Sequence, residues 1–322
     1  MNLENLKKLG ANKYIISEIK KLSDFSKTIP ARIISQYAGI YRVANSPENF
    51  FTAFLSGKYK SKIKSKTELP VAGDWVVLEN KQSTNLPIIN IVQRFSKIER
   101  EHPHKKYPQV LAANIDIAFI TVSADNLNFS KELILRYIAL MKKNNVDFKI
   151  IVNKIDLNNN HKDIIKTIKD LGIDTEKNLF LLDSINKIGY EKLSNELIPF
   201  KTSVLIGHSG AGKSTIINNL YGKIIKKTSE VNSKNFKGRQ TTISRDLIIL
   251  KNNHIIMDIP GLNYVCAEID KEIIEKIKQL SLSCKFSDCK HITEPECAVK
   301  KGVESGEIPK EIYQQYLKEN KK

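Results

Sequence analysis

Residues Gly207 to Thr215 read G-H-S-G-A-G-K-S-T. The apolar run Ser203-Val204-Leu205-Ile206 leads in, and Ile216-Ile217-Asn218-Asn219-Leu220 leads out. By pattern the first is a short buried strand and the second a helix. The stretch is therefore G-x-x-x-x-G-K-[ST] in the strand–loop–helix setting that a phosphate-binding loop needs. Gly207 and Gly212 let the backbone curl so that successive N–H groups face phosphate oxygens. The helix N-terminus behind them adds partial positive charge. His208, Ser209, Gly210 and Ala211 complete the cradle, and Thr215 closes the motif. Lys213 is placed to reach the β- and γ-phosphates, in binding and in catalysis, and the Ser214 hydroxyl to ligate Mg²⁺. Such a loop specifies a nucleoside triphosphate and leaves the base open.

The base is read elsewhere. Asn153-Lys154-Ile155-Asp156 is N-K-x-D, directly after the strand-like Phe148–Val152. A carboxylate accepts from both N1–H and the exocyclic N2–H₂ of guanine, a match that adenine cannot offer. Asp156 supplies that selectivity, while Asn153 and the Lys154 stem shape the pocket. At the next strand end Ser184 and Ile185 stand where GTPases usually carry Ser-Ala, with the Ile185 N–H available to guanine O6. Asp258-Ile259-Pro260-Gly261 reads D-x-P-G. Asp258 is expected in the Mg²⁺ shell, and the Gly261 N–H at the γ-phosphate. Between the two motifs lies a switch-like stretch, Lys237-Gly238-Arg239-Gln240-Thr241-Thr242, in which Thr241 or Thr242 closes onto Mg²⁺. The order is unusual: N-K-x-D precedes the phosphate loop, so the sheet reads as circularly permuted.

Length and composition set the frame. The 322 residues, 41% of them apolar, suggest two or three domains with real cores. The formal charge is +17. Residues 1–100 carry 17 basic against 8 acidic side chains, residues 101–265 carry 24 against 16, and residues 266–322 are balanced. A polyanionic partner, most simply RNA, fits that distribution. Richness in Lys, Asn and Ile would also follow from an AT-rich genome. The N-terminus lacks an apolar signal core, and no run approaches the ~18 apolar residues of a membrane span. The expectation is a cytoplasmic, monomeric protein without a membrane partner.

Along the chain, residues 3–24 show helical spacing broken near Gly10. Between 30 and 98, short strand-like runs punctuated by Gly, Pro, Asn and Ser indicate a small all-β barrel of the oligonucleotide-binding (OB) type. Within it Lys58, Lys60, Lys62, Lys64 and Lys66 recur at every second position. On a strand they would share one face, either a solvated surface or a strip tracking an RNA backbone. His102–Pro108 reads as a basic linker. From Ile115 onward, strands alternate with helices, which means a parallel, doubly wound sheet. Cys284-x₄-Cys289-x-His291-x₅-Cys297 puts three thiols and an imidazole within 14 positions, a fit to one structural Cys₃His zinc site. Cys266 stands apart as a bystander, and Ile308–Lys322 reads as a short terminal helix. The expected organisation is a helical segment (1–26), an OB-like barrel (27–100), a permuted α/β P-loop GTPase domain (101–265) and a small, mostly helical zinc domain (266–322).

Barrel, permuted motif order and Cys₃His tail together resemble the RsgA family of small ribosomal subunit biogenesis GTPases. Tyr41-Arg42-Val43, Gly73-Asp74-Trp75-Val76 and Gln109 to Asp116 are similar to family signatures. The resemblance implies a GTPase stimulated by the 30S subunit, acting late in its maturation and binding 16S rRNA through barrel and zinc domain. The family carries a histidine in an R-H-T-T switch, proposed to orient water. Here that position is Gln240, a competent water-orienter in other GTPases, and Leu262 after D-x-P-G cannot take the role. Three readings follow: a ribosome-assembly GTPase cycling GTP to GDP, a guanine-nucleotide-gated rRNA binder with negligible turnover, and a P-loop ATPase or kinase.

Overall fold

A computed structural model describes residues 3–37, 39–101, 107–125, 129–158, 160–225, 247–259, 267–286, 288–308, 313, 316 and 317. Helices α1 (Leu3–Lys8) and α2 (Lys13–Leu22) come first, and Asn12 caps α2 by accepting from the Ile15 N–H at 2.9 Å. Gly10, at φ +90°, separates them. Strands β1 (Thr28–Tyr37), β2 (Ile40–Ala44), β3 (Phe50–Leu55), β4 (Trp75–Glu79) and β5 (Asn85–Ile91) then close a barrel in the order β1-β2-β3-β5-β4. Pairing is antiparallel except between β3 and β5. Ala31, Ile33, Tyr41, Val43, Ala53, Val76, Leu78, Leu86 and Ile88 fill it. Strand alternation sends their neighbours outward. Outside, Ile34, Trp75 and Val77 are covered in turn, in one core with Leu6, Leu9, Ile15 and Ile19 of the two helices.

The five lysines do not lie on a strand. Gly57–Lys60 is a one-turn helix (α3), and Lys66–Glu68 a 3-10 turn. The cause is local: the Ser56 hydroxyl accepts from the Tyr59 N–H and the Ser65 hydroxyl from the Thr67 N–H, turns that compete with strand pairing. Lys58, Lys60, Lys62, Lys64 and Lys66 are all exposed, in a looped segment between β3 and β4. The basic segment expected as a linker joins two antiparallel strands, β6 (Lys97–Arg100) and β7 (Gln109–Ala113). Its residues 102–106 lie outside the described residues.

The second sheet carries the phosphate loop. Strands β8 (Ile117–Ser123), β9 (Phe148–Asn153), β10 (Leu179–Leu182), β11 (Thr202–Ile206), β12 (Leu247–Ile249) and β13 (Ile255–Asp258) lie in the order β10-β9-β8-β11-β13-β12. All pairs are parallel except β12 with β13, an edge hairpin that the pattern reading passed over. Helices α4 (Lys131–Lys143), α5 (His161–Asp170), α6 (Thr175–Asn178), α7 (Tyr190–Glu196) and α8 (Lys213–Tyr221) connect and cover the strands. Last come α9 (Ala267–Ser281) and α10 (Ala298–Glu304), which pack through Ile273, Ile277 and Val299. No helix among the described residues is long and apolar enough to cross a membrane.

Barrel and sheet are fastened by a buried cation. Arg32 on β1 is fully buried, and its guanidinium donates to Leu9 O (2.6 Å), Thr202 Oγ1 (2.9 Å), Asn114 O (3.0 Å) and Gly73 O (3.3 Å). It also faces the Trp75 ring at 5.4 Å. Burial lowers its pKa to about 10, with Asp116 and Asp74 opposing, so it stays charged at neutral pH. Gly10 is required here, since a Cβ would meet Arg32 Nη1 at 2.5 Å. The segments that resemble family signatures surround this joint. Asp74 takes Arg94 in a two-pronged pair, both contacts 2.7 Å. Asp116 accepts from the Thr202 N–H and from Lys201, each at 2.8 Å. Arg32→Met keeps the bulk but leaves buried carbonyls without donors. The expected loss is on the order of 3 kcal/mol, read as a lower urea midpoint, with Arg32→Lys intermediate.

Candidate nucleotide site

Asn153, Ser184, the 207–215 loop and Asp258 all lie at the carboxyl ends of parallel strands, where open α/β sheets bind ligands. Strand β11 is buried over its whole length and delivers Gly207 and His208 to the sheet edge. Ser209 and Gly210 are exposed at the tip, Ala211 is buried, and Lys213, Ser214 and Thr215 open α8. The Lys213 ammonium donates to Gly207 O (2.9 Å) and His208 O (2.8 Å), and so sits inside the loop. Burial lowers its pKa to about 8 and Asp258 opposes the shift, which leaves it mainly cationic at neutral pH. His208 is buried, with Nδ1 2.8 Å from Ser209 O. Asp258 ends β13 in register with Leu205 of β11. A hydroxyl from Ser214 and a carboxylate from Asp258 are the hard oxygen donors that Mg²⁺ prefers.

The base-reading motif is bonded to the phosphate loop. Asn153 Nδ2 donates to Ala211 O at 3.0 Å, and Gly212 makes room: a Cβ there would meet that nitrogen at 2.1 Å. Lys154 adopts the left-handed conformation (φ +60°), strain of a kind that collects at functional sites. The turn it makes presents Asp156 on the surface. At the next strand end the Ser184 hydroxyl donates to Asn153 Oδ1 (2.7 Å). Its one proton is thereby used, so Tyr190 must donate to Ser184 Oγ across their 2.8 Å contact. Asn219 of α8 completes the ring, donating to Ser184 O (2.8 Å) and Tyr190 Oη (3.1 Å). Burial raises the Tyr190 pKa and keeps that proton in place. No local pattern flagged Tyr190 or Asn219, because only the fold makes them neighbours of the motif.

The Ile185 N–H donates to Asp183 Oδ1 at 2.8 Å, and the Asn186 N–H to the same oxygen at 3.0 Å. Hydrogen bonds from Asn186, then from Ile185, hold the Asp183 carboxyl below the usual range. Gln240, Thr241, Thr242 and Gly261 lie outside the described residues, as does Cys266.

In the tail, Cys284, Cys289, His291 and Cys297 place one ligand atom each within 4.8 Å of one another. Cys284 Sγ lies 3.8 Å from Cys297 Sγ and 3.6 Å from His291 Nδ1, and His291 Nδ1 lies 3.3 Å from Cys297 Sγ. A tetrahedron with metal–sulfur bonds of ~2.3 Å has edges of ~3.8 Å, so these residues fit a metal ion. His291 Nε2 rests 3.1 Å from Ser281 Oγ, a contact that fixes the ring with Nδ1 toward the thiols.

A parallel sheet with the phosphate loop at its centre, and N-K-x-D on a strand that comes earlier in the chain, defines a circularly permuted P-loop GTPase. The family model described as RsgA GTPase matches residues 91–268. Small ribosomal subunit biogenesis GTPase RsgA 1 of Oceanobacillus iheyensis is 31% identical over 295 residues, covering 89% of this chain and 83% of the relative. Small ribosomal subunit biogenesis GTPase RsgA of Xanthomonas campestris pv. campestris is 31% identical over 304 residues, covering 91% and 80%. The chain belongs to the RsgA GTPase family. The crystal structure of YjeQ from Thermotoga maritima superposes with a TM-score of 0.52 at 23% identity, over 91% of this chain and 97% of that one, a likeness of fold.

The ring through Tyr190 yields a direct expectation. Tyr190→Phe removes the proton that Ser184 accepts, at a net cost of about 1 kcal/mol, so guanine nucleotide affinity should fall about fivefold. A fluorescent GDP titration beside a thermal melt separates this from unfolding. Unchanged affinity in both Tyr190→Phe and Asn219→Ala would remove the ring from base positioning.

Proposed function

We propose that this chain binds GTP with Mg²⁺, hydrolyses it to GDP and phosphate, and assists late maturation of the 30S subunit, which stimulates the reaction. The observation that carries the reading is the bond from Asn153 to Ala211, which joins the N-K-x-D motif to the phosphate loop. Asp156 accepts from guanine N1–H and N2–H₂. O6 takes the Ile185 N–H, replacing its Asp183 contact. Successive N–H groups of residues 207–215 and the Lys213 ammonium hold the phosphates and stabilise charge as the γ-phosphoryl leaves. Ser214, Asp258 and Thr241 or Thr242 hold Mg²⁺, which neutralises the β- and γ-oxygens when bound. The Gly261 N–H meets the γ-phosphate, and Gln240 orients the attacking water. We assign the partner as 16S rRNA of the small subunit, met by a monomer in the cytoplasm; both relatives above are named for that subunit's biogenesis. We read the barrel (27–100) and the tail (266–322) as the modules flanking the GTPase domain (101–265), and residues 1–26 as a helical segment packed on the barrel. The basic excess over residues 1–265 favours that polyanion. The metal of the tail is taken as Zn²⁺ in a structural role, since Cys284, Cys289, His291 and Cys297 would fill all four positions.

The first test is GTP hydrolysis with and without 30S subunits, beside Gln240→Ala. Stimulation by the subunit that falls by on the order of 100-fold in the variant supports the enzyme and the water assignment. Stimulation that survives the change moves water orientation to another group. Tight subunit binding with GTP and no turnover would replace the enzyme with a nucleotide-gated binder.

Metal removal tests the tail separately. A strong chelator, or Cys297→Ser, should expose the α9–α10 core to protease while leaving GDP affinity unchanged. Loss of both together would show that the cluster also supports the nucleotide site.

A further inference from the structure

The imidazole of the tail cluster sits on a strained backbone. His291 adopts φ +59°, a left-handed conformation uncommon in any residue but glycine. Strain of this kind persists only where the surroundings over-determine it. Glu294 ties the turn: its carboxylate accepts from the Lys290 N–H at 3.0 Å, the Ile292 N–H at 2.9 Å and the Thr293 N–H at 3.0 Å. Tyr313 ties it again, donating its hydroxyl proton to His291 O. The Tyr316 ring, three residues on, lies 6.2 Å from the imidazole, centroid to centroid. Both tyrosines pack against the α9–α10 core.

A proton count orients the ring itself. Ser281, the last residue of α9, donates its hydroxyl to Ile277 O at 2.7 Å. A serine hydroxyl has one proton, so toward His291 its oxygen can only accept. The 3.1 Å contact with His291 Nε2 is therefore an N–H donation from the ring. A neutral imidazole protonated on Nε2 leaves a bare lone pair on Nδ1. That nitrogen is the one facing Cys297 Sγ at 3.3 Å and Cys284 Sγ at 3.6 Å. Metal ligation needs this tautomer, since a protonated ring nitrogen has no lone pair to give.

We propose that Ser281 and Tyr313 are positioning residues for the metal of the tail. Ser281 selects the imidazole tautomer that ligates through Nδ1, and Tyr313 holds the His291 backbone that aims it. The inference rests on the reading of the cluster as a Zn²⁺ site and deepens it. Neither residue belongs to the Cys-x₄-Cys-x-His-x₅-Cys pattern, so metal retention depends on elements outside the motif: the end of α9 and the segment bearing Tyr313. A chain with all four ligands intact but either hydroxyl removed holds its metal in a looser cage.

The test uses the full chain loaded with Zn²⁺ and reads metal release to a chromogenic chelator. Ser281→Ala and Tyr313→Phe should each release metal about tenfold faster. Before the chelator is added, both should resist protease as the wild type does, which reports a folded tail. Ser281→Thr keeps the hydroxyl and should restore slow release. Further readings separate positioning from general support. In a His291→Cys background the ligand count is kept and the imidazole is gone. There Ser281→Ala should have no effect, whereas a structural loss at the end of α9 would persist. With Co²⁺ in place of Zn²⁺, the d–d bands of Tyr313→Phe should shift or weaken at full occupancy, the signature of a distorted tetrahedron. A two-bond ¹H–¹⁵N spectrum of the Zn²⁺-loaded wild type should show His291 metal-bound at Nδ1 and protonated at Nε2. Ligation through Nε2 overturns the proposal, as do release rates and Co²⁺ bands unchanged in both variants. A Ser281→Ala effect that survives in His291→Cys overturns the tautomer role. A wild-type chain that holds neither Zn²⁺ nor Co²⁺ sinks the metal reading and this inference with it. Unaffected variants of a metal-holding chain sink this inference alone.

Discussion

A guanidinium with no access to water must find its hydrogen-bond partners within the fold, and Arg32 finds them on four segments. Leu9 follows the first helix, Gly73 precedes β4, Asn114 follows β7, and Thr202 begins the phosphate-loop strand. Each acceptor has a single arrangement that serves the cation. Displacing any one leaves a charge poorly solvated in the interior, which costs several kcal/mol. Barrel, N-terminal helices and nucleotide sheet are thus parts of one packed body. Their common core runs from Leu6 and Ile15 through Trp75 to Ile255 and Met257.

The permuted chain order has little physical cost because a parallel sheet is held by neighbours in space. Strand β11 pairs with β8 and β13 whichever of them comes first in the chain. What must be preserved is that the carboxyl ends converge, and they do. The base loops after β9 and β10 reach the phosphate loop through Asn153 and through the ring of Ser184, Tyr190 and Asn219. This ring runs from β9 by way of β10 and α7 to α8. It fixes the spacing between the N-K-x-D motif and the phosphate loop.

Much of this was legible in the sequence, for identifiable reasons. The phosphate loop, N-K-x-D and the cysteine cluster are local motifs whose spacing carries their geometry. Barrel strands such as Phe50–Leu55 announced themselves by β-branched and aromatic residues between turn formers. The lysines from 58 to 66 misled because period two is a strand signal only when the backbone is free to extend. There Ser56 and Ser65 capture N–H groups and bend it. The role of Arg32 was invisible, since a lone arginine in a strand-like run gives no sign of complete burial. Tyr190 and Asn219 lie 29 residues apart, and no window joins them. The His102–Pro108 segment looked like a boundary by composition, yet it connects two strands that pair with each other.

The joint and the motif order together bias which half of the sheet talks to the rest of the molecule. Arg32 grips β11 at Thr202, five residues before Gly207, along a strand buried throughout. The neighbouring strand β13 ends at Asp258, and only eight residues separate it from the start of α9 at Ala267. The barrel and the tail with its cysteine cluster are therefore attached to adjacent strands, β11 and β13. In the unpermuted order the strand bearing D-x-P-G would feed back into the sheet. Here α9 follows β13 in the chain, and the cysteine cluster follows α9. The phosphate loop is tied to the barrel through β11, whose Thr202 bonds a cation held by three other segments. Barrel and tail are thus both attached on the phosphate-loop side of the sheet rather than on the N-K-x-D side.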